Sequence, residues 1–295
     1  MLTKYNVYYN DLKYRNNRNI DIKCANWTDP EYENLYATTN FDTVNYRINE
    51  CITKDNTLLD LSHLSLSEMP NIPANICKNV KCLFLNENKL NSINNLHNFV
   101  SLEVLDISNN NISEIIILPK TLTELNCSFN NITDITQDIP SLVLLNCENN
   151  KLNNIHDYKK IKTIMCSNNC IKYIKNNSAK KIICNNNNII SISNCDNLIY
   201  IDCSDNPLEL LDNVNNLIKL VMNNTPITQL PNISNLTHLE VFKSCIDTIP
   251  YFDSLTELYI SGEHTKKISK KYKANKLIHT NIYKNKLIQM SFHNI

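Results

Sequence analysis

Three stretches of this chain superimpose when written 20 residues apart. The first is Leu102-x-x-Leu105-x-Ile107-x-x-Asn110-x-Ile112-x-x-Ile115. The second is Leu122-x-x-Leu125-x-Cys127-x-x-Asn130-x-Ile132-x-x-Ile135, and the third is Leu142-x-x-Leu145-x-Cys147-x-x-Asn150-x-Leu152-x-x-Ile155. A fixed period of this length marks a stack of like units, none of which buries its apolar face without a neighbour. Side chains alternate along a strand, so Leu105 and Ile107 share one face, and that face must point into the coil. Strands of successive coils then pair in parallel, about 4.8 Å apart. The Asn at the turn carries an amide that both donates and accepts, suited to backbone that no regular strand satisfies.

The register extends well beyond these three copies. It opens at Leu59-x-Leu61-x-x-Leu64 and continues at Leu83-x-Leu85-x-x-Asn88. After the central copies it runs through Ile164-x-Cys166-x-x-Asn169, Ile182-x-Cys184-x-x-Asn187, Ile201-x-Cys203-x-x-Asn206, Leu220-x-Met222-x-x-Thr225 and Leu239-x-Val241-x-x-Ser244. Weaker copies follow at Leu258-x-Ile260-x-x-Glu263 and Thr280-x-Ile282-x-x-Asn285. These are about twelve units, spaced 18 to 24 residues apart, and they fill residues 57–291. Residues 292–295 form a tail. An Asn ladder is expected from Asn88 to Asn206, with local irregularity at Glu263. Coils this short leave no length for a full convex helix, so extended segments and 3₁₀ turns are expected there. Pro119, Pro140, Pro207, Pro226, Pro231 and Pro250 agree, since proline breaks helix interiors. The longer units near 86–107 and 258–282 have room for a helical turn.

Residues 1–56 carry no repeat. Asp29-Pro30 resembles a helix start, and short helices are expected near 30–37 and 42–52. A cap over the open end of the stack, which terminal repeats need for solubility, is one reading of this segment. A docking module is the other.

Composition narrows the function classes. Lys+Arg and Asp+Glu both number 29, so no global charge draws the chain to nucleic acid or membrane. Gly262 is the only glycine, which excludes a phosphate-cradling glycine loop. The histidines fall in no zinc-protease motif, and no G-x-S-x-G is present. No catalytic, cofactor or metal residues are assigned. The 12 cysteines, in a chain with no signal-type apolar region at its N-terminus, read as thiols of an intracellular, cytoplasmic protein. Cys127, Cys147, Cys166, Cys184 and Cys203 fill one inward column. Without a histidine or a Cys-x-x-Cys, that column reads as packing of small hydrophobes. No apolar run reaches the length of a membrane span.

The working residues are therefore sought where the template reads x. Met165, Ile183 and Val221 are expected to form an apolar patch in the middle of the strand face. Phe242, Tyr259 and Tyr283 gather towards its C-terminal end. Aromatics at such positions suit partner anchors. The Lys266–Lys276 run offers a polyanion contact as an alternative, although nucleic acid is the disfavoured partner because no aromatic stacking platform accompanies it.

The L-x-x-L-x-L-x-x-N-x-I-x-x-I pattern of Leu102–Ile115 and Leu122–Ile135 resembles the leucine-rich repeat family. The resemblance implies a curved horseshoe solenoid with a parallel β-sheet on its concave face and extended and 3₁₀ segments on its convex face. The short coils with proline in the return segment, as at Asp138-Ile139-Pro140-Ser141-Leu142, resemble the bacterial-effector subclass. The Asn/Ile/Lys-rich style resembles leucine-rich repeat proteins of giant DNA viruses, which implies the host cytoplasm as the location. The family implies protein binding on the concave face; with no catalytic set, the chain reads as a non-enzymatic, monomeric scaffold for an unknown protein partner. An adaptor that recruits substrates to a ubiquitin ligase through residues 1–56 is the alternative, weakened by the lack of an F-box pattern.

Overall fold

A computed structural model describes residues 40–54, 56–115, 117–260 and 288–291 of the chain. The expected helix near 30–37, the Lys266–Lys276 run, Glu263 and Tyr283 lie outside these residues. The Leu-x-Leu segments form a 12-stranded sheet in which strands follow chain order apart from three that turn to a second sheet. Strands pair in parallel from Leu58–Asp60 to Glu257–Ile260. The register is that of the repeats: Leu83 pairs with Leu105, Leu105 with Leu125, and Leu125 with Leu145. All four are 0–1% exposed. One continuous apolar core runs through the coils from Val44 to Ile260. The architecture is the leucine-rich repeat solenoid, with the long sheet on its concave face.

The asparagine ladder is present in full from Asn88 to Asn206. Asn130 typifies it: its Oδ1 accepts from Ile112 N–H at 2.9 Å, while its Nδ2 donates to Ile107 O at 2.9 Å and Cys127 O at 3.2 Å. One side chain thus ties two adjacent coils and closes its own turn. Thr225 has a single proton to give. It donates to Met222 O at 3.2 Å, within its own coil.

The residue before each ladder position takes a positive φ, as at Asn109, Asn149, Asn168, Asn186 and Asn224. Asparagine tolerates this left-handed region better than other non-glycine residues. That answers how a chain with a single glycine turns so often. Phe129 holds the same conformation at φ 55° and is 52% exposed.

The return side matches expectation in kind. Each coil closes with a short turn before its rising apolar residue, as in Leu122 N–H to Pro119 O at 3.2 Å and Leu142 N–H to Ile139 O at 3.1 Å. A 3₁₀ helix, Leu96–Asn98, occupies the long unit near 86–107. The short helix Ala74–Cys77 was not expected; the 24-residue spacing from Leu59 to Leu83 makes room for it. Tyr173–Lys175, Ser191–Ser193 and Leu210–Asp212 pair in parallel as a second, three-stranded sheet. Its central residues Ile174, Ile192 and Leu211 face the core.

The helix Asn40–Lys54 coincides closely with the expected second N-terminal helix. Val44, Ile48 and Cys51 recur at helical spacing and join the same core as Leu59. The last expected unit needs correction. Ile288–Ser291 pairs antiparallel with Glu257–Ile260, with Met290 opposite Leu258. That strand fills the sheet edge where a twelfth parallel strand would lie, so Met290 does not continue the parallel stack.

Candidate functional site

Three outward columns line the concave sheet, because residues on either side of each inward leucine point away from the core. The residues singled out from the sequence fall in two of them. The third comprises Leu58, Cys82, Val104, Glu124, Leu144, Thr163, Lys181, Tyr200, Lys219, His238 and Glu257, each paired to the next in register. Strict alternation of strand side chains was the signal for it: Val104 must face the same way as Asp106.

The expected apolar patch is only partly assembled. Met165 pairs directly with Ile183, but Asp202 separates Ile183 from Val221. Met165 and Val221 are each 7% exposed, and Ile183 is half-buried. Phe242 and Tyr259 are half-buried on adjacent coils, offset along the strand direction. Phe242 N–H donates to Asn223 Oδ1 at 2.8 Å, and the Tyr259 ring lies 5.0 Å from that of His238.

The face changes character along its length. At the N-terminal end, Cys82, Phe84 and Val104 form an apolar cluster separate from the main core, with Leu58 packed against it. Towards the C-terminal end the third column turns basic and aromatic. The Lys181 and Lys219 ammonium groups lie 5.2 and 5.5 Å from the Tyr200 ring centroid, within cation–π range. Between these regions stands Glu124, buried, whose carboxyl burial pushes up to about 7.

His238 Nδ1 lies 2.7 Å from Glu257 Oε2, and Tyr259 O–H donates to the same oxygen at 3.2 Å. A histidine held by a carboxylate resembles the base-and-orienter pair of hydrolases. Here Nε2 is sealed from solvent and meets no partner among the described residues.

The cysteine column is interior. Cys127, Cys147, Cys166, Cys184 and Cys203 are all 0% exposed, and all are free thiols. Cys127 Sγ donates to Asn146 O at 3.4 Å and Cys147 Sγ to Met165 O at 3.4 Å, each reaching the next coil. Burial first, then the charge of neighbouring thiols and carboxylates, pushes these thiols far above the ordinary range. Thiolate chemistry is therefore suppressed along the column. Among the described residues, no helix is long and apolar enough to cross a membrane.

Comparison with known proteins agrees with this architecture at the level of fold. No family model and no curated protein matches the sequence. Among solved structures, the leucine-rich effector YopM of Yersinia pestis superimposes with a TM-score of 0.56 at 22% identity, covering 77% of this chain and 81% of that one. The functional domain of InlJ from Listeria monocytogenes, described as including a cysteine ladder, gives 0.51 at 21% identity over 70% of this chain. The chain spans 47% of that InlJ domain. The leucine-rich repeat domain of APL1B gives 0.52 at 17% identity, covering 75% of this chain and 85% of that one.

Proposed function

We propose that this protein is a non-enzymatic interaction scaffold that binds a partner protein on its concave sheet. The observation that carries the reading is the division of labour within each coil. Leu, Ile, Cys and Asn at the template positions are spent on the core and the ladder, whereas the outward columns vary from coil to coil. Half-buried aromatics on that face, Tyr200, Phe242 and Tyr259, are of the type that anchors protein interfaces. The helix Asn40–Lys54 sinks Val44, Ile48 and Cys51 into the first coils, which favours a cap over a free docking module for that part of residues 1–56.

Proximity labelling in cells that express the protein tests the reading. Phe242→Ala with Tyr259→Ala is expected to remove at least one partner from the labelled set while the protein keeps its level and its thermal midpoint. An identical partner set for the variant and the parent would overturn it.

A further inference from the structure

In the middle of the long sheet, two cations share one ring. Lys181, Tyr200 and Lys219 are register partners on three successive coils. The two ammonium groups lie 5.2 and 5.5 Å from the centroid of the same tyrosine ring. Like charges gathered in this way repel each other, and the ring's quadrupole offsets only part of that. All three residues are half-buried, so water screens the pair less than on an open surface. Neither ammonium forms an ion pair or hydrogen bond among the described residues.

An apolar groove adjoins the lysines. It encloses about 340 Å³, and Lys180, Ile199 and Ile218 line it. Each of these directly precedes a member of the trio in the chain. Their backbones form a ladder, in which Ile199 N–H donates to Lys180 O at 2.8 Å and Ile218 N–H to Ile199 O at 2.9 Å. Ile199 and Ile218 are 37% and 43% exposed. The equivalent position is Lys180 on the coil before and Thr237 on the coil after, so the repeat itself does not demand isoleucine here.

Nearby acids limit how much negative charge this surface accepts. Ionisation of Tyr200 is disfavoured first by burial and then by the charges of Asp202 and Glu240, and Asp196 lines the groove. A nucleic acid brings a phosphate at every nucleotide and meets those acids as well as the lysines. A single side-chain carboxylate meets the lysines alone.

We propose that the middle of the concave face takes a partner protein segment that presents an aspartate or glutamate beside an apolar side chain. The carboxylate sits between Lys181 and Lys219, and the apolar group enters the groove at Ile199 and Ile218. The assignment rests on the concave face being the binding surface and names the side chains that the face selects.

Random peptides displayed on phage are selected against the immobilised full chain, and single selected peptides are then titrated by anisotropy. The parent is expected to enrich Asp or Glu next to Leu, Ile, Val or Phe. Lys181→Ala with Lys219→Ala should weaken the selected peptides about tenfold, as the loss of two partly exposed ion pairs allows. Lys181→Arg with Lys219→Arg should keep most of the affinity, and Ile218→Asp should abolish it. Thermal midpoints should stay at the parent's value, since these side chains lie outside the core. An empty pool, a pool without the acid-and-apolar pairing, or peptides that the double Ala variant binds as well as the parent does, overturns the proposal. So does an oligothymidine that binds more tightly than any selected peptide and depends on the same lysines, because it assigns the patch to nucleic acid. If affinity depends on Phe242→Ala with Tyr259→Ala but not on the lysines, this proposal alone fails. If it depends on Leu210→Asp, on the second sheet, and on no concave-face variant, the reading of the concave face fails too.

Discussion

At the scale of single residues, the asparagines decide whether the coils stay stacked. Replacing Asn130 with Ala strands the Ile112 N–H inside the protein and leaves Ile107 O with Asn110 Nδ2 as its side-chain donor. A buried group left unmade costs about 1–3 kcal/mol, so Asn130→Ala should lower stability by about that amount. Asn130→Asp should cost a similar amount, because it loses the donor that meets Ile107 O. Asn111, exposed one residue past a ladder position, is the control and should change little. Urea denaturation measures all three. Phe129 runs the other way. A bulky side chain held at φ 55° is strained, so Phe129→Asn should raise stability by about 1 kcal/mol. Glu124 gives a signed pH effect. Its folded-state value, about 7, lies above the ordinary 4.5, so its contribution to stability is fullest below about 4.5 and is lost as pH rises to 7. Glu124→Gln should therefore gain on the parent as pH rises through that window, by at most about 3 kcal/mol. Thermal midpoints that track in parallel from acid to pH 8 would refute this.

At the scale of elements, the helix Asn40–Lys54 closes a stack whose first strand otherwise ends in solvent. Repeat proteins gain stability from neighbours, and their ends fray first. Ile48→Asp should thus abolish amide-exchange protection around Leu59–Leu61 while leaving Leu145 and Ile201 protected. Uniform loss along the chain would mean that the coils unfold as one unit. The second sheet, built on Ile174, Ile192 and Leu211, shows what the sequence conveys and what it hides. An extended return segment follows from 18- or 19-residue coils, but pairing across three of them depends on their matched lengths. The antiparallel strand Ile288–Ser291 was not legible either. Spacing of Leu, Asn and Leu reads the same in either strand direction until a neighbour's hydrogen bonds select one.

At the scale of the molecule, the scaffold was legible because it repeats: the inward Leu, Ile and Cys residues and the Asn ladder follow from period alone. The candidate site was less legible because it does not repeat. Met165, Ile183 and Val221 were singled out as an apolar patch, and the sheet keeps Asp202 between two of them, as their order along the repeats has it. The third outward column was implied by strand alternation, but the setting of Tyr200 between two lysines emerged only once register placed neighbours side by side. The molecule thus divides into a core set by repetition and a concave surface set by departures from it. Photocrosslinking tests that division most directly. A photoreactive residue is placed singly at Val104, Tyr200 and Tyr259 on the long sheet, and at the exposed Tyr173 and Leu210 on the second sheet. Irradiation in expressing cells should yield adducts to a common protein from the long-sheet positions and none from Tyr173 or Leu210. Adducts confined to Tyr173 and Leu210 would contradict the account.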